Sequence, residues 1–83
     1  TGETVFTATG RLNTIYIEPP AGNPTCSYEI QDEFGGVRAP KQNITMPALI
    51  EAEVLLMQRN TFIITDASAD GVYTVWIYWQ YGV

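Results

Sequence analysis

Between Thr25 and Asp32 apolar and polar side chains alternate residue by residue, with Cys26, Tyr28 and Ile30 on one side and Ser27, Glu29 and Gln31 on the other. Successive side chains of an extended chain point to opposite faces, so this segment predicts a strand with one buried and one wet face. Leu12–Glu18 carries Ile15 and Ile17 on one face and Leu12 and Tyr16 on the other. Thr4–Thr9, rich in β-branched and aromatic residues, predicts a further strand that Gly10 ends, the two being joined at Gly10-Arg11. Phe62–Thr65 predicts another, paired as a hairpin with Val72–Tyr81 across the loop Asp66–Gly71.

The last stretch, V-Y-T-V-W-I-Y-W-Q-Y, is apolar on both faces: Tyr73, Val75, Ile77, Trp79 and Tyr81 form one row, and Trp76 and Tyr78 belong to the other. It reads as a central strand with its odd row in the core. Three coverings suit the second row: the opposing sheet or loops, a subunit or partner interface, or a stacked sugar ring.

Turn chemistry separates these segments. Pro19-Pro20-Ala21-Gly22-Asn23-Pro24 predicts a stiff exposed loop, because each proline removes a backbone donor and fixes φ. Glu33-Phe34-Gly35-Gly36 predicts a turn. Val37–Thr45 follows as an edge segment, since Pro40 and Lys41 suit a sheet edge and not its centre.

Residues 47–58 have two readings. Ala48, Leu49, Glu51, Ala52, Glu53, Leu55, Leu56 and Met57 are good helix formers, and Thr45 is placed to cap a short helix opening at Met46. Ala52, Val54 and Leu56 also alternate with Glu51, Glu53 and Leu55, and every neighbouring segment reads as strand, which favours extended chain over about 52–57. About seven strands at short spacing predict an all-β fold. It is a small antiparallel β-sandwich of Greek-key or jelly-roll type, formed as a single domain over residues 1–83, with a short helix near 47–58 as the competing local reading.

Size makes association the expected source of added stability. A domain of 83 residues buries only about 60% of the surface its unfolded chain exposes. One cysteine, Cys26, permits no internal disulfide, and the absence of histidine removes the commonest metal ligand and general base. Nine acidic residues face four scattered basic ones, Arg11, Arg38, Lys41 and Arg59, which argues against a nucleic acid partner. No apolar run approaches the roughly 20 residues that span a bilayer, so no membrane is expected either. The chain opens on Thr1 and not on methionine, which leaves room for a preceding arm.

Candidate chemistry is sparse. Asp66-x-Ser68-x-Asp70-Gly71 is similar to the opening of a calcium loop, yet position 12 of that loop is Ile77, where a bidentate glutamate belongs. A polar loop that bonds its own backbone is the plainer account. Asp32-Glu33 and Glu51/Glu53 are carboxylate pairs that would need a cleft to serve acid and base roles. Ser27 and Ser68 have no histidine to activate them, and Cys26 sits on an inward row where a thiol acts as a small hydrophobe. Asn43-Ile44-Thr45 fits the glycosylation pattern, a short motif of frequent chance occurrence. The expectation is no enzyme, with no catalytic, cofactor or metal residue to nominate.

Three stretches carry a resemblance: Ile15-x-Ile17-x-Pro19-Pro20, then Pro24-Thr25-x-x-Tyr28-x-Ile30-x-Asp32-x-Phe34-Gly35, and Gly71-x-x-Thr74-Val75-x-Ile77-Tyr78-Trp79. Together they resemble small virion structural proteins of tailed bacteriophages, of the β-sandwich kind that includes capsid decoration, or cement, proteins. The resemblance implies a non-enzymatic protein on the capsid exterior that bridges major capsid proteins, as a dimer or trimer, with no cofactor. In that role Trp76, Tyr78 and Tyr81 are the expected interface anchors, and Pro19, Pro20 and Pro24 a rigid protrusion against the shell. Two other classes fit the same strands: a carbohydrate-binding or adsorption module, and another virion part such as a head–tail connector, tail or fibre domain.

Overall fold

The computed structural model describes residues 2–81, apart from the side chains of Ala52 and Tyr81. Seven strands follow in chain order: β1 (Gly2–Thr7), β2 (Gly10–Glu18), β3 (Thr25–Asp32), β4 (Val37–Thr45), β5 (Ala48–Leu56), β6 (Arg59–Thr65) and β7 (Thr74–Tyr81). They form two antiparallel sheets, one ordered β1-β6-β3-β4 and the other β5-β2-β7. The chain is therefore a small all-β sandwich, as its alternation predicts.

The sheets close on a core of Leu12, Ile15, Ile17, Cys26, Tyr28, Ile30, Ala39, Met46, Leu56 and Phe62. Cross-strand neighbours explain the layer: Ile30 pairs with Phe62 and Tyr28 with Ile64 in one sheet, and Ile15 pairs with Ile77 and Ile17 with Val75 in the other. The Tyr28 and Phe62 rings lie nearly parallel, 6.0 Å apart. Offset ring pairs of this kind add to what area burial alone supplies.

Residues 48–56 form a strand, which agrees with the favoured extended reading and excludes the competing helix, because Ala48, Ile50, Val54 and Leu56 can all face the core from an extended chain paired to β2. Four other local expectations are corrected. The alternation placed Leu12 opposite Ile15, but the register shifts between Leu12 and Thr14. That bulge turns exposed Asn13 outward and puts Leu12 on the same inner face as Ile15 and Ile17. β7 is an edge strand, and β2 holds the centre of its sheet. Finally, β6 and β7 make no hairpin, since they belong to different sheets and their connection crosses the sandwich. β1 and β2 likewise part at Ala8-Thr9 into separate sheets.

β4 lies at a sheet edge as expected from Pro40 and Lys41, and its Ala39 and Ile44 face β3 residues Ile30 and Cys26. Among the described strands only β3 and β4 are joined by a tight turn within one sheet. In it Gly35 has φ 82°, a conformation that glycine adopts without strain.

Candidate functional site

Several of the polar residues that sequence chemistry singles out, Asp32, Asp66 and Ser68 among them, are absorbed into the fold's own joints. Asp32, 7% exposed, accepts bonds from Phe34 N (2.9 Å) and Gly36 N (2.7 Å) at one oxygen and from Arg38 Nε (3.2 Å) and Nη2 (2.9 Å) at the other. The Gly36 amide above all, then Phe34 and Arg38, hold its carboxyl below the usual aspartate range against the opposing effect of burial. Asp32 thus clamps the β3–β4 turn, and its neighbour Glu33 points to solvent. Cys26 is fully buried, and burial pushes its thiol pKa up, away from the reactive thiolate.

The calcium-like loop is also spoken for. Lys41 Nζ donates to Asp66 at 2.8 Å, and this hydrogen bond is the leading cause that lowers the Asp66 pKa. Ser68 Oγ accepts from Thr25 N (2.9 Å) while Ser68 N donates to Thr25 O (2.8 Å). Tyr73 Oη donates back to Ala69 O at 2.8 Å and fixes the entry into β7. A tyrosine that bonds a backbone carbonyl a few residues upstream is a recurrent corner device of β-sandwiches. Among the described residues no group of three or more His, Cys, Asp or Glu side chains is placed to hold a metal ion. Asn43 is exposed, and its amide donates to Ser27 Oγ at 3.1 Å. That bond helps to cover Ser27, which is buried although it lies on the face expected to be wet.

Two surfaces remain. The first is the outer face of the β5-β2-β7 sheet, where the register lines up Leu49, Tyr16 and Trp76 in one row across three strands. Tyr16 and Trp76 rings stand 5.5 Å apart, tilted by 41°. Leu49 is 66% exposed, Trp76 40% and Tyr78 55%, so among the described residues neither the opposing sheet nor a loop encloses the second row of β7. Beside Tyr78, which pairs with Thr14, a shallow depression is lined by Asn13, Thr14, Glu51 and Glu53. Glu51 and Glu53 do share the outer face, with the bulge residue Asn13 at their side.

The second surface is the open side of the sandwich, which sequence reasoning missed. Along one side β4 lies against β5; along the other β1 and β7 leave a groove of about 540 Å³. Gly2, Thr4 and Phe6 line one wall, Tyr73, Val75, Ile77 and Trp79 the other, and Phe62 and Ile64 lie between. The two-sided apolar pattern of β7 signals excess apolar area, but strand order alone decides that it faces a gap.

The predicted proline protrusion is partly tied down. Pro24 is buried, its carbonyl accepts Met46 N at 2.7 Å, and Asn23 Nδ2 donates to Met46 O at 3.1 Å. Pro24 is therefore a joint with the β4–β5 turn and offers no exposed contact, whereas Pro20 is exposed and Pro19 half-buried. The Tyr81 side chain, the third expected anchor, lies outside the described residues. Comparison with known proteins finds no matching family model, no matching curated protein and no matching solved structure.

Proposed function

We propose that this chain is a non-enzymatic structural protein of a virion, a decoration or cement protein on the exterior of a tailed-phage capsid. It works by lending an aromatic sheet face to neighbouring chains. The observation that carries this reading is the uncovered row Leu49–Tyr16–Trp76 with Tyr78 beside it, on a domain small enough to gain from association. Large rings at the centre of an interface are the residues whose truncation costs most, typically about 2 kcal/mol or more. The major capsid protein and further copies of the chain are the proposed partners. Asp32, Asp66 and Ser68 are occupied in joints of the fold, which fits a scaffold better than a catalyst.

Trp76→Ala tests the reading. It is expected to lower the native mass measured by light scattering, or to release the protein from empty capsids in co-sedimentation, while the far-ultraviolet circular dichroism stays unchanged. A variant that keeps its mass and its capsid binding overturns the interface.

A carbohydrate-binding module is the second reading, favoured by one feature: the polar depression of Asn13, Thr14, Glu51 and Glu53 adjoins exposed Tyr78. A ring for stacking beside hydrogen-bonding oxygens is what a sugar platform needs. Glycan-array binding that Trp76→Ala abolishes selects this reading over the first.

A further inference from the structure

We propose that the open side of the sandwich is an acceptor groove for one extended, cationic segment of another protein. This segment would insert between β1 and β7 with alternate apolar side chains pointing inward. The proposal is independent of whether the chain decorates a particle.

Five observations carry it. The groove is lined at period two from both walls, by Gly2, Thr4 and Phe6 on β1 and by Val75, Ile77 and Trp79 on β7, which is the spacing at which a strand delivers its own side chains. Its volume of about 540 Å³ is several times the roughly 150 Å³ that accommodates a benzene ring, so it takes a row of side chains and not one. On both sides of the gap the outer backbone edge has no strand partner among the described residues, β1 bonding only β6 and β7 only β2. An extended peptide can satisfy such an edge, and a lipid tail or other aliphatic ligand cannot.

Direction is the fourth observation. Thr7 ends β1 opposite Arg59, and after Ala8-Thr9 Gly10 opens β2 opposite Tyr81, the last residue of β7. β1 and β7 thus run the same way, and a single strand entering between them is antiparallel to both. Antiparallel pairing is the slightly more stable arrangement per residue.

Charge is the fifth, and it selects the occupant. Asp70 lines the groove and Glu3 lies on β1, whereas no Lys or Arg is among the lining residues. Arg38 and Lys41 sit on β4 at the far edge, paired with Asp32 and Asp66. The net charge of −5 disfavours a second copy and favours a segment whose outward positions carry Lys or Arg.

The test uses the whole chain and the synthetic peptide KVKIKVKIK, with KKVVKKIIK as a control of equal composition and charge and dodecanoate as an aliphatic control. Binding is followed by titration calorimetry and by amide hydrogen exchange. The alternating peptide is expected to bind at least about tenfold more tightly than the control and to slow exchange in β1 and β7. Thr4→Phe, which keeps β propensity and fills the groove, is expected to abolish that binding while leaving the folded state intact.

Several results overturn the proposal. They are no binding of the alternating peptide up to about 1 mM, equal binding of both peptides, protection confined to other strands, or unchanged binding by Thr4→Phe. Binding of dodecanoate in place of the peptide, or protection of β1 and β7 on concentrating the protein alone, overturns it as well.

Discussion

At the scale of single residues the fold rests on a few polar side chains that fasten its joints. Asn60 is fully buried on β6, and its amide donates to Ala8 O (3.1 Å) and Met57 O (2.7 Å) and accepts from Met57 N (3.0 Å). One side chain thereby ties the β1–β2 crossover to the β5–β6 crossover. Asn60→Ala leaves those backbone groups unpaired in the interior and is expected to cost about 2–4 kcal/mol in urea unfolding. Asp32 answers to pH instead. Its folded pKa lies below the ordinary aspartate value of 3.8, so its contribution to stability is present above that value and is lost as pH falls through the folded pKa. Asp66, held low chiefly by its hydrogen bond from Lys41, adds to the same acid limb. Asp32→Asn is expected to flatten the fall in stability between about pH 5 and pH 2, measured by thermal unfolding across that range.

At the scale of elements, connections between the sheets set what each strand can do. The β6–β7 connection needs Gly71, whose φ is 133° and where an added Cβ would sit 2.7 Å from Pro20 Cγ. Gly71→Ala forces both backbone strain and movement of the β2–β3 loop. A loss of about 1–3 kcal/mol is expected, read as a lower unfolding midpoint, with the aromatic face still assembled. β5 teaches a related lesson, because its helix-forming residues lie extended. Propensity differs between residues by under about 1 kcal/mol, and pairing to β2 with four apolar side chains turned to the core outweighs it.

Across the whole molecule the asymmetry of the sandwich governs behaviour. β4 and β5 close one side, whereas β1 is an outer strand bound only to β6, with Phe6 as its single half-buried side chain. Local opening follows the distribution of buried contacts, so β1 amides are expected to exchange far faster than those of β2 and β3, which hold the centres of the two sheets. Hydrogen exchange on the free protein checks this, and equal protection of β1 and β2 would contradict it. The same asymmetry places both candidate surfaces on β7, one on each of its faces. The core covers the inner row of β7 only in part, and much of Trp76, Tyr78 and Trp79 remains exposed among the described residues.

Much of this architecture is legible in the residues themselves. Alternation in Thr25–Asp32, the glycines after Phe34 and the proline of β4 follow from local sterics and side-chain direction, so strand number, the β3–β4 turn and the edge position of β4 can be read before any fold is known. The surplus of large apolar side chains in β7 is equally a property of the chain. What it faces is another matter. Bulge position at Asn13, the sheet to which β7 belongs and the groove beside β1 all depend on pairing between residues far apart in sequence. No local pattern encodes them, because the energy that selects one register comes from the partner strand and from the core it shares.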